Sequence, residues 1–361
     1  MATVSIIVPC YNAQAWVKEA IQSCLNQTYS DIEIIVIDDG STDRSAQVLK
    51  DFGSRIVLIT TSNQGGSVAR NIGFRHSTGE YIQFLDADDY LLPDKIAMQV
   101  RFLEENNADV VYGDWRYQFH LPDGFCYLDK IEKSGEKDDV LCSLLSGWWV
   151  AQGAILYRRW VVESVGGWDE SFRAAQDRDF FTSVAMSNAA IGYQPGCNFI
   201  YRKYGEVTVS TSNIQRWFNS NCLSLEKTET ALRKSGRLSK NHKMSLATGY
   251  ARALRFCLPL QTERHFDILR KVQELTPEFK AEDETVSFRF LQNILGYYWT
   301  ARLMSFFRAT VGTLKSAAKK TFLLKIALRL RRLRIMYSIH NNQRVVIHDR
   351  NAAGVSINKP L

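Results

Sequence analysis

The stretch Ile82-Gln83-Phe84-Leu85-Asp86-Ala87-Asp88-Asp89 puts three carboxylates within four residues, directly behind an apolar run. Apolar and aromatic side chains favour a buried strand and Asp avoids one. The acids therefore fall just past the strand's carboxyl end, where open α/β sheets bind ligands. Like charges at this spacing repel, and a divalent cation relieves the repulsion. Hard oxygen donors suit Mg or Mn, ions that commonly join a protein carboxylate to substrate phosphates. The chemistry to expect is a metal-diphosphate site. A solvated acidic turn that caps the next helix is the bland alternative.

The same grammar recurs upstream. Val4-Ser5-Ile6-Ile7-Val8-Pro9 runs into Cys10-Tyr11-Asn12, Ile32 to Ile37 runs into Asp38-Asp39-Gly40-Ser41-Thr42-Asp43, and Ile56 to Ile59 leads to Ser62-Asn63-Gln64-Gly65-Gly66. Helical spacing follows each strand: Trp16, Val17, Ala20, Ile21, Cys24 and Leu25 behind Asn12 as N-cap, then the segments Asp43 to Phe52 and Ser67 to His76. Strand-helix alternation predicts right-handed crossovers and a mostly parallel sheet, with every polar cluster on one edge. No G-x-G-x-x-G follows the first strand and no G-x-x-x-x-G-K-[ST] occurs, which argues against a dinucleotide fingerprint or a phosphate-cradling loop. A diphosphate here would be neutralised by metal, as in a nucleotide-sugar site.

These runs, with Ala69-Arg70-Asn71, resemble family 2 glycosyltransferases of the GT-A fold in order and spacing over roughly the first 110 residues. Gly166-Gly167-Trp168-Asp169-Glu170 and Gln176-Asp177-Arg178-Asp179 resemble that family's acceptor-side motifs more loosely, and the likeness fades after about Ser212. The resemblance implies an inverting, metal-dependent enzyme. It would move a sugar from a nucleotide-diphosphate sugar, by preference a UDP-sugar, to a hydroxyl of a glycan or lipid-linked acceptor. On matching positions it implies that Pro9 and Tyr11 line the base pocket, with the Tyr11 ring on the uracil face. Asp39 would accept from the uracil imide, Asp86 would hold the ribose, Asp88 would ligate Mn or Mg, and Arg70 would offset the crowded acids. Asp177 would be the base that deprotonates the acceptor. Asp43 reads instead as a helix cap, and Asn71 as a residue that satisfies nearby backbone.

Two departures from the family pattern stand out. Gln176 replaces the usual Glu, and Tyr204 stands where a His metal ligand often lies, two residues after Arg202. They keep open a second reading: a non-catalytic relative that retains the nucleotide pocket and serves as a membrane-associated partner in glycan assembly. Asp177 opens a predicted helix, where the dipole would depress its pKa, so proximity must matter as much as basicity.

Composition agrees with an enzyme: 361 residues, 45% hydrophobic and 23% charged. Seven scattered cysteines without a C-x-x-C pair point to a reducing compartment and away from zinc. The sequence enters a core strand at once, which predicts no signal peptide. Val140 to Tyr157 carries no charge, but its Gly, Gln and Ser interruptions favour a buried strand pair over a membrane span, with Ala154 to Arg159 as a strand leading to a helix. Trp148 and Trp149 would either stack on sugar rings or pack the core. Residues 114 to 138 show no pattern.

Charge divides the chain. Met1 to Glu284 holds 31 basic and 37 acidic residues, whereas Thr285 to His348 holds 12 Lys or Arg and no acid. Leu314, Phe322, Leu323, Ile326, Leu330 and Leu333 interleave with those cations over Thr310 to Ser338, the pattern of a basic amphipathic helix lying on an anionic membrane. An oligomer contact or a solvated face is the alternative, and no nucleic-acid motif is present. The expected organisation is a catalytic domain over residues 1–212, a helical basic region over 213–348 and a tail over 349–361. The enzyme would be cytoplasmic, peripheral at the inner face of the membrane.

Overall fold

The computed structural model describes residues 2–205, 213–257, 262–282, 285, 288–289 and 291–305. Strand β1 (Val4–Cys10) is buried along nearly its whole length, as a central parallel strand covered on both faces must be. It pairs in parallel with β2 (Ile32–Asp38) and β4 (Tyr81–Phe84), and β2 pairs in parallel with β3 (Val57–Thr60). Helices α1 (Val17–Leu25), α2 (Ser45–Lys50) and α3 (Gly66–His76) make the crossovers. Gly73 lets α3 lie close on the sheet: a Cβ there would meet Ile7 Cγ2 at 2.4 Å and Ile37 Cδ1 at 2.6 Å.

Beyond β4 the sheet is mixed. Its order is β3-β2-β1-β4-β8-β6-β9-β5, with β7 off the path on β6. Here β5 is Tyr90–Leu91, β6 Val110–His120, β7 Cys126–Glu132, β8 Ile155–Arg158 and β9 Ile191–Tyr204. β8 runs antiparallel to both β4 and β6, while β9 is parallel to β6. The parallel expectation thus describes the first four strands. The short β5 pairs with β9 through Tyr90 and Ile200, which delivers the end of β9 to the Asp86–Asp89 turn.

Three local expectations are corrected. Asn12 does not cap α1; it takes a left-handed conformation, φ 50°, and its Oδ1 accepts the Thr42 N–H at 2.8 Å, tying the first two strand ends together. Val140 to Tyr157 is not a strand pair, because helix α5 (Val140–Leu145) precedes β8. Asp139 caps α5 by accepting the Cys142 N–H at 2.8 Å, and Leu141, Leu144 and Leu145 are buried at helical spacing. Residues 114 to 138, without a pattern in the sequence, hold the β6–β7 hairpin, whose turn contains Pro122-Asp123-Gly124, with Gly124 at φ 84°.

Helices α4 (Lys95–Glu105), α6 (Arg159–Ser164) and α7 (Gln176–Met186) complete the layers on the sheet. After β9 come α8 (Ile214–Lys234), α9 (Lys240–Phe256) and α10 (Glu263–Leu275). They build a second core around Phe218, Leu246, Tyr250 and Leu269, which Leu141 and Leu145 of α5 join. Residues 291–305 are helical. The basic stretch Thr310 to Ser338 and the tail lie outside the described residues. Among the described residues no helix is long and apolar enough to cross a membrane.

Candidate active site

All seven residues selected from the sequence (Pro9, Tyr11, Asp39, Arg70, Asp86, Asp88 and Asp177) line one cleft of about 720 Å³. The carboxyl ends of β1, β2 and β4 form one wall, and the start of α7 and the end of β9 face them. Tyr11, just past β1, leaves half its surface open. Asp39, just past β2, is buried, and its two oxygens accept the Gln64 and Gly65 N–H groups at 2.8 Å each. Asp39 therefore fixes the loop that enters α3; its Oδ1 also accepts the Thr61 hydroxyl at 3.4 Å, which leaves Oδ2 with the freer acceptor capacity. Arg70, one turn into α3, places Nη2 2.5 Å from Asp86 Oδ1, Nη1 3.4 Å from Gln176 Oε1, and its guanidinium over the Trp168 ring.

The acidic turn is tightly built. Ligating oxygens of Asp86, Asp88 and Asp89 lie within 4.8 Å of one another. Burial, and then the Asp86 charge, push the Asp88 pKa upward. Asp89, more deeply buried beside Asp88 and Asp86, is pushed up further. β9 answers this cluster. Asp89 accepts the Arg202 N–H at 2.8 Å, Arg202 Nη1 donates to the Asp88 carbonyl at 3.0 Å, and Arg202 also pairs with Glu19. Tyr204 donates its hydroxyl to Asp88 Oδ2 at 2.8 Å. Crowded carboxylates, raised by burial and then by one another's charge, are the donor set a hard divalent cation relieves. The residues fit such an ion, which Asp88 would hold.

Asp177 occupies the first turn of α7, entered from Ala175 in a left-handed conformation. The same turn carries Asp179, but Lys227 Nζ binds that carboxylate at 2.8 Å, so Asp177 is the acid left facing the cleft. Its pKa is raised, first by its deep setting and then by Asp86, against the opposing pull of backbone N–H donors and Arg70. The expected depression by the helix N-terminus is thus overridden: burial wins. Gln176, in place of an acid, donates to the Phe172 carbonyl at 2.9 Å.

Of the two residues with bland readings, Asn71 behaves accordingly, whereas Asp43 lies one residue before Arg44, the N-cap of α2, and braces the turn instead of capping the helix. Asp43 accepts the Ser45 N–H at 2.8 Å as α2 begins. Asn71 clasps the Trp168 backbone, donating to its carbonyl and accepting its N–H, both at 2.8 Å. Sequence reasoning missed Tyr201, Arg173 and Arg216, which also line the cleft. Arg173, three residues before Gln176, lay within reach of the motif; Arg216, from α8, had no signal.

A sheet of this order, with an acidic turn past β4 and a helix start opposite it, is a GT-A glycosyltransferase fold. Residues 5–165 match the model described as glycosyl transferase family 2, and this part of the chain is a domain of that family. An uncharacterised glycosyltransferase of Haemophilus influenzae is 40% identical over 155 residues, which cover 41% of this chain and 58% of that protein. Glycosyltransferase GlyA of Streptococcus pneumoniae serotype 4 is 36% identical over 127 residues, 34% of this chain and 18% of that protein. The chain thus spans little more than half, or less, of these relatives' length. Among solved structures, S. aureus TarS 1–349 in complex with UDP-GlcNAc superposes with a TM-score of 0.63 at 17% identity, over 88% of this chain and 93% of that one. Mannosyltransferase PcManGT from Pyrobaculum calidifontis, in complex with GDP-Man and Mn2+, gives 0.50 at 18% identity, over 88% of each. At these identities the likeness concerns the fold.

Proposed function

We propose that the chain is an inverting, metal-dependent glycosyltransferase that uses a UDP-sugar and an acceptor hydroxyl on a glycan or lipid-linked glycan. One observation supports the reading: Asp177 lines the same cleft as Asp86 and Asp88, so a base at Asp177 and a diphosphate at the acidic turn would share one cleft. Tyr11 offers an open ring for the base, and Asp39, fixed by two backbone donors, offers acceptor lone pairs to an imide N–H. Asp86, steadied by Arg70, faces the ribose. A divalent ion bound through Asp88 would neutralise the departing diphosphate, which removes the need for a separate general acid. Asp177 takes the acceptor's proton as its oxygen attacks the anomeric carbon from the face opposite the nucleotide, and configuration inverts. Its raised pKa makes it a better base near neutrality than an ordinary Asp. The transferred unit is a hexose or related sugar in polysaccharide assembly, and the basic segment after Thr285 holds the enzyme at an anionic, cytoplasmic membrane face.

The test is a panel of nucleotide sugars offered to purified protein, with and without Mn or Mg, reading nucleotide release. Release confined to uridine donors and to metal-containing wells is expected. No release with any donor, alongside intact UDP binding, would favour the non-catalytic alternative.

A further inference from the structure

A second cleft of about 710 Å³, nearly the size of the first, lies between the β6–β7 hairpin, the segment leading into α5, and α9. It separates the two tryptophans of Trp148-Trp149. Trp148 is partly buried, edge-on to Tyr112 at 5.3 Å, and its indole N–H donates to the Ser134 carbonyl at 3.2 Å; it packs the core. Trp149 remains 40% exposed in the cleft, although its ring is braced 4.8 Å from that of Trp115. A braced, partly open indole offers a flat face on which an apolar ring surface can stack.

The two clefts share a wall. Tyr201 lines the nucleotide cleft, where Asp89, Asp86 and Asp177 raise its pKa further above what burial alone imposes. The same ring lies 5.9 Å from that of Trp115 and 6.4 Å from that of Trp149, both of which line the second cleft. A ligand on Trp149 is therefore one tyrosine side chain away from the acids of the nucleotide cleft.

We propose that this second cleft binds the acceptor glycan: the sugar carrying the reacting hydroxyl sits against Tyr201, and the preceding sugar stacks its apolar face on Trp149. The inference rests on the transferase reading above and gives its acceptor a binding site. Charge chooses the ligand. Four carboxylates and three cations line the cleft, so a polyanion is not attracted, and an alkyl chain would leave those groups facing apolar surface. A hydroxyl-rich sugar satisfies donors and acceptors alike, with Lys137, Asp138, Ser143 and Arg252 in reach of its rim. Arg252 belongs to α9 and donates to the Ser146 carbonyl at 2.9 Å, which gives the helical part a share in acceptor recognition.

The experiment titrates the full chain with four neutral tetrasaccharides (chitotetraose, maltotetraose, cellotetraose and mannotetraose) by calorimetry, with UDP plus Mn titrated in parallel. At least one tetrasaccharide should bind saturably, Trp149→Ala should weaken it about tenfold or more, and Trp149→Phe should lose less. Asp138→Ala, on the exposed rim, should weaken the same sugar while UDP affinity stays unchanged in every variant. Absence of binding by all four, or binding indifferent to Trp149→Ala and Asp138→Ala, overturns the proposal. Failure of the wild type to bind UDP would instead sink the transferase reading and leave the sugar result standing.

Discussion

Tyr204 donates its hydroxyl to Asp88 Oδ2 at 2.8 Å, from the position where the family it resembles often carries a histidine. The tyrosine is braced against the Trp16 ring, 4.9 Å between centroids, so the donor is held in place. In the proposed reading it would orient the carboxylate that holds the metal, a role whose loss commonly costs 10–100-fold in metal affinity. Tyr204→Phe should therefore weaken Mn-dependent UDP binding by about tenfold. Unchanged binding in calorimetry would mean that Asp88 needs no orientation.

Asp88 itself should be indispensable to the metal. Asp88→Ala removes a side chain that lies beyond the strand, so the fold survives while Mn no longer improves UDP affinity. Because burial and Asp86 raise the Asp88 pKa, wild-type binding with Mn should begin to fail on acidification above the range of an ordinary carboxylate. A titration that fades only within the ordinary range would contradict this assignment.

Asp177→Asn separates catalysis from stability. Turnover should fall about 100-fold with donor affinity nearly unchanged, as expected for loss of a general base. The fold should gain stability at neutral pH. A carboxyl whose folded pKa is raised binds its proton more tightly in the fold than in the unfolded chain. Stability is therefore lost as pH rises from the unfolded value through the folded one, and the deficit persists above it. Asparagine carries no such penalty. A lower melting temperature for Asp177→Asn at pH 7, or equal losses of donor binding and turnover, would point to a structural cap.

The Asn71 clasp links α3 to the segment that leads to Asp177. Trp168, held by both of its backbone groups, stacks on Phe180 of α7 at 4.3 Å. Asn71→Ala leaves a buried N–H and carbonyl without these partners, at about 1–3 kcal/mol for each. A melt showing a loss under about 0.5 kcal/mol would show that water replaces the clasp.

How much of this was legible in the sequence depended on where the geometry is local. The strand ends were readable because an apolar run followed by Asp or Asn marks both the element and the edge, and of the selected cleft residues from Pro9 to Asp88 all but Arg70, in α3, sit on such ends. Asn12 misled because one side chain can cap its own helix or reach across to Thr42, and the left-handed turn chose the second. The pKa of Asp177 was misjudged because the helix N-terminus is visible in the sequence and the packing that buries the carboxyl is not. The β6–β7 hairpin was signalled only by its Pro-Asp-Gly turn. Arg216, like the Tyr201 wall between the clefts, depends on long-range pairing of β9 and α8 that no local pattern records.

The last prediction concerns the basic segment. The first 284 residues carry a net negative charge, which an anionic membrane would repel, so attraction must come from the 12 cations between Thr285 and His348. The helical stretch 291–305 already exposes Ile294, Leu295 and Trp299, apolar surface of the kind that enters an interface. Each cation near an anionic leaflet contributes about 1 kcal/mol, a term that salt screens, whereas the apolar contribution resists salt. Full-length protein should sediment with anionic vesicles and be partly released at about 0.5 M salt, where the Debye length is only a few ångströms. Replacing Lys315, Lys319, Lys320 and Lys325 with Glu should leave the protein in the supernatant with UDP binding intact. If the unaltered protein ignores anionic vesicles even at low salt, the segment serves packing or assembly instead.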